Sequence, residues 1–195
     1  MICVIMIARK YLIKKKGGNA MKQLKMFIFP VTCFVIIDQL VKIVISNFFM
    51  TYQFPLIEHL ISFSPQINTQ LSYGGQFIDI LSQPWLLFIL NFFILFLFIS
   101  GYLFYKTKRE KTSIIVKMIM IFGIAGCLCS LIDKVFWGGS LDYIYLYQLF
   151  IFDLKDCYLT IAQLLFIILG IKYGKDISVK EYFVFCIEEL KSFAR

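Results

Sequence analysis

The sequence predicts an all-α membrane protein: a four-transmembrane-helix bundle with a small extracytoplasmic β-containing segment after the first helix. Three observations carry this. Hydrophobic residues make up 60% of the 195 and charged residues only 16%, with a mean hydropathy of +0.81. Four apolar runs are long enough, at about 1.5 Å per residue, to cross a hydrocarbon core of roughly 30 Å. Lys and Arg gather at the ends of those runs, where topology signals sit. A formal charge of +8 would suit a nucleic-acid partner, but basic residues in short clusters beside apolar runs argue for membrane topology instead, so no nucleic-acid partner is expected. The six cysteines (Cys3, Cys33, Cys127, Cys129, Cys157 and Cys186) lie mostly inside apolar runs, show no two-pair ligand spacing and stand far from the single His59. Neither a disulfide framework nor a metal or other cofactor is expected.

Residues 1–20 hold a short apolar start followed by Arg9, Lys10 and Lys14 to Lys16, the reverse of the order in a signal peptide. They read as a basic N-terminal extension or a mis-called start, with Met21 opening a more conventional beginning. The first span covers residues 26–45 and contains Asp38 and Lys42, four apart on one helical face; an ionisable pair inside a membrane segment faces the bundle interior. Residues 46–84 contain no Lys or Arg and are punctuated by Pro55, Pro65 and Gly74-Gly75, which suits an extracytoplasmic segment of short strands with a surface helix. The second span, residues 85–105, carries no charge. A basic connection with Lys106, Lys108, Arg109, Lys111 and Lys117 leads into the third span, residues 112–135, whose Gly123, Ala125, Gly126, Cys127, Cys129 and Ser130 permit close helix approach. The fourth span runs over residues 156–173, ending near Lys172 and Lys175.

Residues 21–173 thus form one four-span domain, and residues 174–195 form a tail in which Tyr182, Phe183, Cys186, Ile187, Leu190 and Phe193 alternate with Lys and Glu as in an amphipathic surface helix. The basic clusters place both termini in the cytoplasm. Asp133 and Asp156 then lie at the outer membrane face, and Asp38, about 18 Å up an outward-running helix, approaches them. Two carboxylates near one another in a poorly solvated place cannot both ionise readily, so one serves as acid and the other as base.

In this order the chain resembles the signal peptidase II family, the bacterial lipoprotein signal peptidases. Asp38-Gln39 with Lys42 resembles the family's Asp-Gln-x-x-Lys motif. The segment from Asn68 to Gly74 is similar to Asn-x-Gly-x-Ala-Phe, and Ser130 to Lys134 to Asn-x-x-Asp-Arg. Leu141-Asp142-Tyr143 is similar to Val-Asp-Phe, and Phe152 to Cys157 to Phe-Asn-x-Ala-Asp-Ser. The departures are Ser130, Lys134, Asp153, Lys155 and Cys157. The resemblance implies that Asp133 and Asp156 are a catalytic dyad, with Asp38, Gln39, Lys42, Asn68, Ser130 and Lys134 binding substrate or supporting the site. It implies a monomer in the bacterial cytoplasmic membrane whose partners are membrane lipids and lipid-modified prolipoproteins, cut just before the diacylglyceryl cysteine.

Asp142 and Asp153 read as solvated loop acids, with Lys155 offsetting Asp153. Cys157 lacks a nearby histidine to activate it as a nucleophile. Four acids binding a hard cation such as calcium would need a compact loop of alternating oxygen ligands, which is absent. A proton-relay transporter would need charges spread across the membrane. The remaining alternative keeps the fold and binds lipidated peptides without turnover.

Overall fold

The computed structural model describes residues 17–68, 84–109, 113–147, 149–173 and 178–191. Helix α1 (Gly17–Phe48) is followed by strands β1 (Phe54–Ile57) and β2 (Ile61–Asn68), then by helices α2 (Pro84–Lys108) and α3 (Ile114–Ile132). A single π-helical turn, Asp133–Trp137, extends α3. Strands β3 (Ser140–Leu146) and β4 (Phe150–Phe152), helix α4 (Leu154–Tyr173) and helix α5 (Val179–Lys191) complete the chain. Four helices are long and apolar enough to cross a membrane, over Lys25–Phe48, Trp85–Lys108, Ile114–Trp137 and Leu154–Lys172. The protein is therefore multi-pass, and the expected bundle with a small sheet is present. The surface helix expected within residues 46–84 and most of the segment from Asn68 to Gly74 fall outside the described residues.

The bundle is built around α3, which packs against α1, α2 and α4. Its small residues do what their spacing predicts. A Cβ on Gly123 would come 2.6 Å from the Phe98 ring of α2, and one on Gly126 would come 2.6 Å from Leu159 Cγ of α4. Cys127 and Cys129 are fully buried in the same helix as small packing residues, and Cys129 joins Val31, Ala125 and Tyr158 in one core cluster. Outward-facing side chains are large and apolar, among them Phe29, Phe48, Phe136 and Ile171. That inverts a soluble protein and fits spans whose outer surface meets lipid.

The sheet is antiparallel, in the order β1-β2-β3-β4. Sequence reading places strands only after the first helix; half the sheet in fact comes from between α3 and α4. The pairing of Gln66 with Asp142 and Asn68 with Ser140 ties those two distant segments together across one end of the bundle. Gly138, at φ 63°, turns the chain out of the π-helical turn. Gly139 passes so close to the end of β2 that a Cβ there would stand 2.8 Å from the Asn68 carbonyl oxygen. A second core under the sheet joins Ile45 to Leu141 and Tyr143, so the first half of β3 is buried.

Helix α5 lies against α2. Tyr182 and Ser100 share a hydrogen bond of 2.7 Å, and Lys108 pairs with Glu181 at 2.7 Å. Phe104 packs edge-on to Tyr182 and against Phe185.

Candidate active site

Where the helix ends meet the sheet, two ammonium groups hold five carboxylates. The first is Lys42, fully buried on α1 one turn after Asp38. Its Nζ donates to both Asp133 oxygens, at 2.7 and 2.6 Å. It also pairs with Asp38 Oδ2 at 3.2 Å and with Asp153 Oδ2 at 2.7 Å. The interior-facing Asp38 and Lys42 pair is thus the foot of a larger network, in which one cation joins α1, the end of α3 and the start of α4. Gln39 Nε2 donates to Asp38 Oδ2 at 3.0 Å and reaches Asp133 Oδ1 at 3.5 Å. Its own carbonyl accepts from Trp137 Nε1 at 3.1 Å, which fixes the amide's orientation. Asp133 opens the π-helical turn that carries Trp137, and such turns locally re-aim side chains.

The second ammonium is Lys155, in the first turn of α4. It donates to Ser140 Oγ at 2.5 Å and to Asp153 Oδ2 at 2.6 Å. Asp133 Oδ2 lies 3.2 Å away, Asp142 Oδ1 3.4 Å and Asp156 Oδ2 3.9 Å. The helix start itself is built from two of these acids. Asp153 Oδ1 accepts from the Asp156 backbone N–H at 3.2 Å, and Asp156 Oδ2 accepts from the Asp153 N–H at 3.3 Å. This reciprocal pair is a capping box that uses Asp at both ends, with negative charge at the positive end of the helix.

From the sheet, Ser140 Oγ donates to Asp142 Oδ1 at 2.5 Å and Asn68 Nδ2 to Asp142 Oδ2 at 3.1 Å. Asp142 and Asp153 are not the solvated loop acids that the sequence suggests. They are 3% and 0% exposed, because β3 closes over the helix ends. Their charge states diverge. Burial raises the Asp142 pKa, with the Lys155 ammonium and the Ser140 and Asn68 hydrogen bonds only partly opposing it. Burial also pushes Asp153 upward, but Lys155 and Lys42 beside it outweigh that and hold its carboxyl below the usual range.

The dyad positions differ in access: the Asp133 side chain is 1% exposed and that of Asp156 is 41% exposed. Asp156 is the dyad position that solvent reaches, and Asp133 is closed to it. Lys134 and Ser130 form a separate contact. Lys134 Nζ donates to Ser130 Oγ at 2.6 Å and to the Ser130 carbonyl at 3.2 Å, and Asn91 of α2 donates to the same hydroxyl at 3.3 Å. Carboxylate oxygens of Asp142, Asp153 and Asp156 lie within 4.8 Å of one another, a spacing able to hold a metal ion. Lys155 contacts all three and supplies a cation there already.

Sequence reading missed Ser140, Trp137 and Asn91 as site residues and undervalued Lys155. The Asp153-x-x-Asp156 spacing was a readable helix-start signal. Ser140 and Asp142, alternating in a run rich in Leu, Ile and Tyr, were a readable strand signal.

The profile of the family described as signal peptidase (SPase) II matches residues 31–172. Among solved structures, one titled as a bacterial membrane enzyme determined by the in meso method at 2.3 Å is 24% identical, with a TM-score of 0.62, covering 78% of this chain and 91% of that one. Another bacterial membrane enzyme, solved by the same method at 1.9 Å, is 26% identical with a TM-score of 0.58, covering 73% of this chain and 90% of that one. The first likeness bears on the fold alone.

Proposed function

The chain belongs to the signal peptidase II family, a family of membrane-bound aspartic peptidases, and from that premise we propose that it removes signal peptides from lipid-modified prolipoproteins. The observation that carries the reading is the meeting of Asp133 and Asp156 across Lys155 at the sheet-covered end of the bundle. Two carboxylates there activate water against a peptide bond, and the supporting shell of Asp38, Gln39, Lys42 and Asn68 keeps them in register. Ser130, in the last turn of α3, and Lys134, next to Asp133 in the π-helical turn, are hydrogen-bonded to each other; their role is to shape the wall of the substrate path.

The absence of Lys and Arg from residues 46–84 and their density in residues 1–25 and 106–117 support cytoplasmic termini and an extracytoplasmic sheet. That orientation sets the site at the outer face of the bacterial cytoplasmic membrane, where a lipid-anchored precursor presents its cleavage point. Residues 21–173 carry the peptidase as a monomer. Residues 174–195 lie on the inner surface as an amphipathic tail, and residues 1–20 have no part in the chemistry.

The test is cleavage of a diacylglyceryl-modified prolipoprotein by the purified protein in detergent, beside the same precursor without the lipid. Cleavage of the lipid-modified form alone is expected. Binding without cleavage would replace the enzyme by a non-catalytic relative of the same fold.

A further inference from the structure

At the end of the bundle away from the sheet, α2, α3 and α4 leave a cavity of about 430 Å³ between them, with α5 beside it. Gly101 and Tyr105 on α2, Met120 on α3, Leu169 on α4 and Tyr182 on α5 are among the residues that line it, and the lining is almost wholly apolar. None of its lining residues belongs to the aspartate site. Along α2 the cavity runs from Ile94 to Tyr105, about 16 Å at the helical rise. That is the depth of one leaflet of a hydrocarbon core roughly 30 Å thick.

The end of the cavity nearest the helix termini is rimmed by cations, because three helices each continue the face that lines it with a basic residue. Arg109 stands four residues beyond Tyr105, and its backbone N–H still donates to the Tyr105 carbonyl at 3.0 Å, so the helical geometry of α2 carries through to it. Lys117 stands three residues before Met120, and Lys172 three after Leu169; these spacings share a helix face. Residues 106–117 and 172–181 together hold eight Lys or Arg against three Asp or Glu. The rim is therefore positive even though Lys108 is paired with Glu181.

An occupant has to be apolar over one leaflet's depth and negative at its head. We infer that this cavity holds an acyl chain of an anionic phospholipid from the leaflet at the basic end of the bundle, with the lipid phosphate against Arg109, Lys117 and Lys172. Charge sets aside the two helical occupants. A signal peptide begins with a positive segment, which this rim repels, and a second copy of the chain seated alongside in the same orientation brings its own basic rim against this one. Helix α5 is held beside the cavity by the Tyr182 and Ser100 hydrogen bond at 2.7 Å and by the edge-on packing of Tyr182 on Phe104, so the acyl chain also touches the tail.

Gly101 supplies the test. An added Cβ there meets nothing within 4 Å, so a larger side chain enters open space, and the substitution also removes a glycine from inside a helix. Delipidated full-length protein in detergent would be mixed with dioleoyl phosphatidylglycerol, dioleoyl phosphatidylcholine or glycerol 3-phosphate. Native mass spectrometry then counts the molecules retained by the parent, by G101F and the smaller G101L, and by R109Q/K117Q/K172Q. Melting curves without added lipid identify the variants that fold.

The parent is expected to retain one phosphatidylglycerol, to hold phosphatidylcholine about 10-fold or more weakly, and to keep no glycerol 3-phosphate. Retention of phosphatidylglycerol should fall about 10-fold or more in the Gly101 variants, and the triple variant should lose the preference between the two lipids. Equal retention of both lipids by the parent, a comparison that needs no variant, overturns the inference. Full retention of phosphatidylglycerol by a folded G101F overturns it too, and so does glycerol 3-phosphate held as well as the lipid. A two-chain species that G101F abolishes would give the cavity to a second copy. A G101F that binds the lipid normally but cleaves the lipid-modified precursor more slowly would give it to the signal peptide; either result displaces the lipid. None of these outcomes bears on the hydrolase reading, which the dyad variants test separately.

Discussion

Replacing Lys42 with Met keeps most of the side-chain volume and deletes one charge that three carboxylates share, at 2.6 Å from Asp133, 2.7 Å from Asp153 and 3.2 Å from Asp38. Removing one partner of a buried ion pair costs about 3–5 kcal/mol, because the other is left charged and dry. Asp38 is left without its ammonium, and Asp133 and Asp153 keep only Lys155 between them, at 3.2 and 2.6 Å, which puts this substitution at the upper end. For a domain of this size each kcal/mol moves the midpoint by about 2–4 °C, so a cost near 5 kcal/mol predicts a fall of about 10–20 °C. Asp38→Asn is the control. It leaves Lys42 paired with Asp133 and Asp153, and Asp38 Oδ1 has no hydrogen-bond partner among the described residues, so the loss should be about 1–3 kcal/mol. Thermal unfolding of the detergent-purified proteins, followed by tryptophan fluorescence, reads both, since Trp137 is hydrogen-bonded to Gln39 within the network. A Lys42→Met midpoint matching the parent, or a larger loss for Asp38→Asn, would refute the idea that Lys42 is the common counter-ion.

The helix contacts predict that Gly126→Ala destabilises by about 1–3 kcal/mol, more than Gly123→Ala. The Gly126 Cβ would meet the branch point of Leu159 and lie 3.3 Å from the Lys155 carbonyl, whereas the Gly123 Cβ meets only the far edge of the Phe98 ring; melting curves rank the two. Asp153 and Asp142 should respond oppositely to pH. The Asp153 pKa lies below its ordinary 3.8 in the folded protein, so its stabilisation is present above that value and lost as pH falls through the folded one; Asp153→Asn should therefore lower the midpoint at neutral pH and make little difference in strong acid. The Asp142 pKa is raised above 3.8, so its contribution is present below that value and lost as pH rises through the folded one; relative to the parent, Asp142→Asn should gain in midpoint as pH rises from acid to neutral. A cysteine at Gln53, beside the sheet, should react with a membrane-impermeant maleimide from outside intact cells, and labelling only after the membrane is opened would reverse the orientation.

The spans, their order and the aspartates at their ends were legible because twenty-residue apolar runs and intramembrane charges are strong signals. Amphipathic alternation likewise marked the tail that forms α5. Strand β3 carried an alternating signal that was passed over and β4 carried none: at seven and three residues they sit in a loop-like connection, and only the pairing of β3 with β2 and of β4 with β3 makes them part of the sheet. Burial of Asp142 and Asp153 follows from that pairing, which is why local sequence read them as solvated. Lys155 was visible as a departure from the family pattern. Its place between Asp133 and Asp156 depends on α4 starting beside the end of α3, a tertiary fact that Gly126 and Leu159 set from the other side of the helix.

The central claim is that Asp133 and Asp156 together hydrolyse the prolipoprotein, and the most direct measurement is the initial cleavage rate of a diacylglyceryl-modified precursor by Asp133→Asn and Asp156→Asn, purified at matched membrane insertion. An amide can neither take up nor hold a carboxylate's charge, so each rate should fall by about 10³-fold or more, while Asp142→Asn and Asp153→Asn fall less. Near-parent rates for either dyad variant would contradict the account.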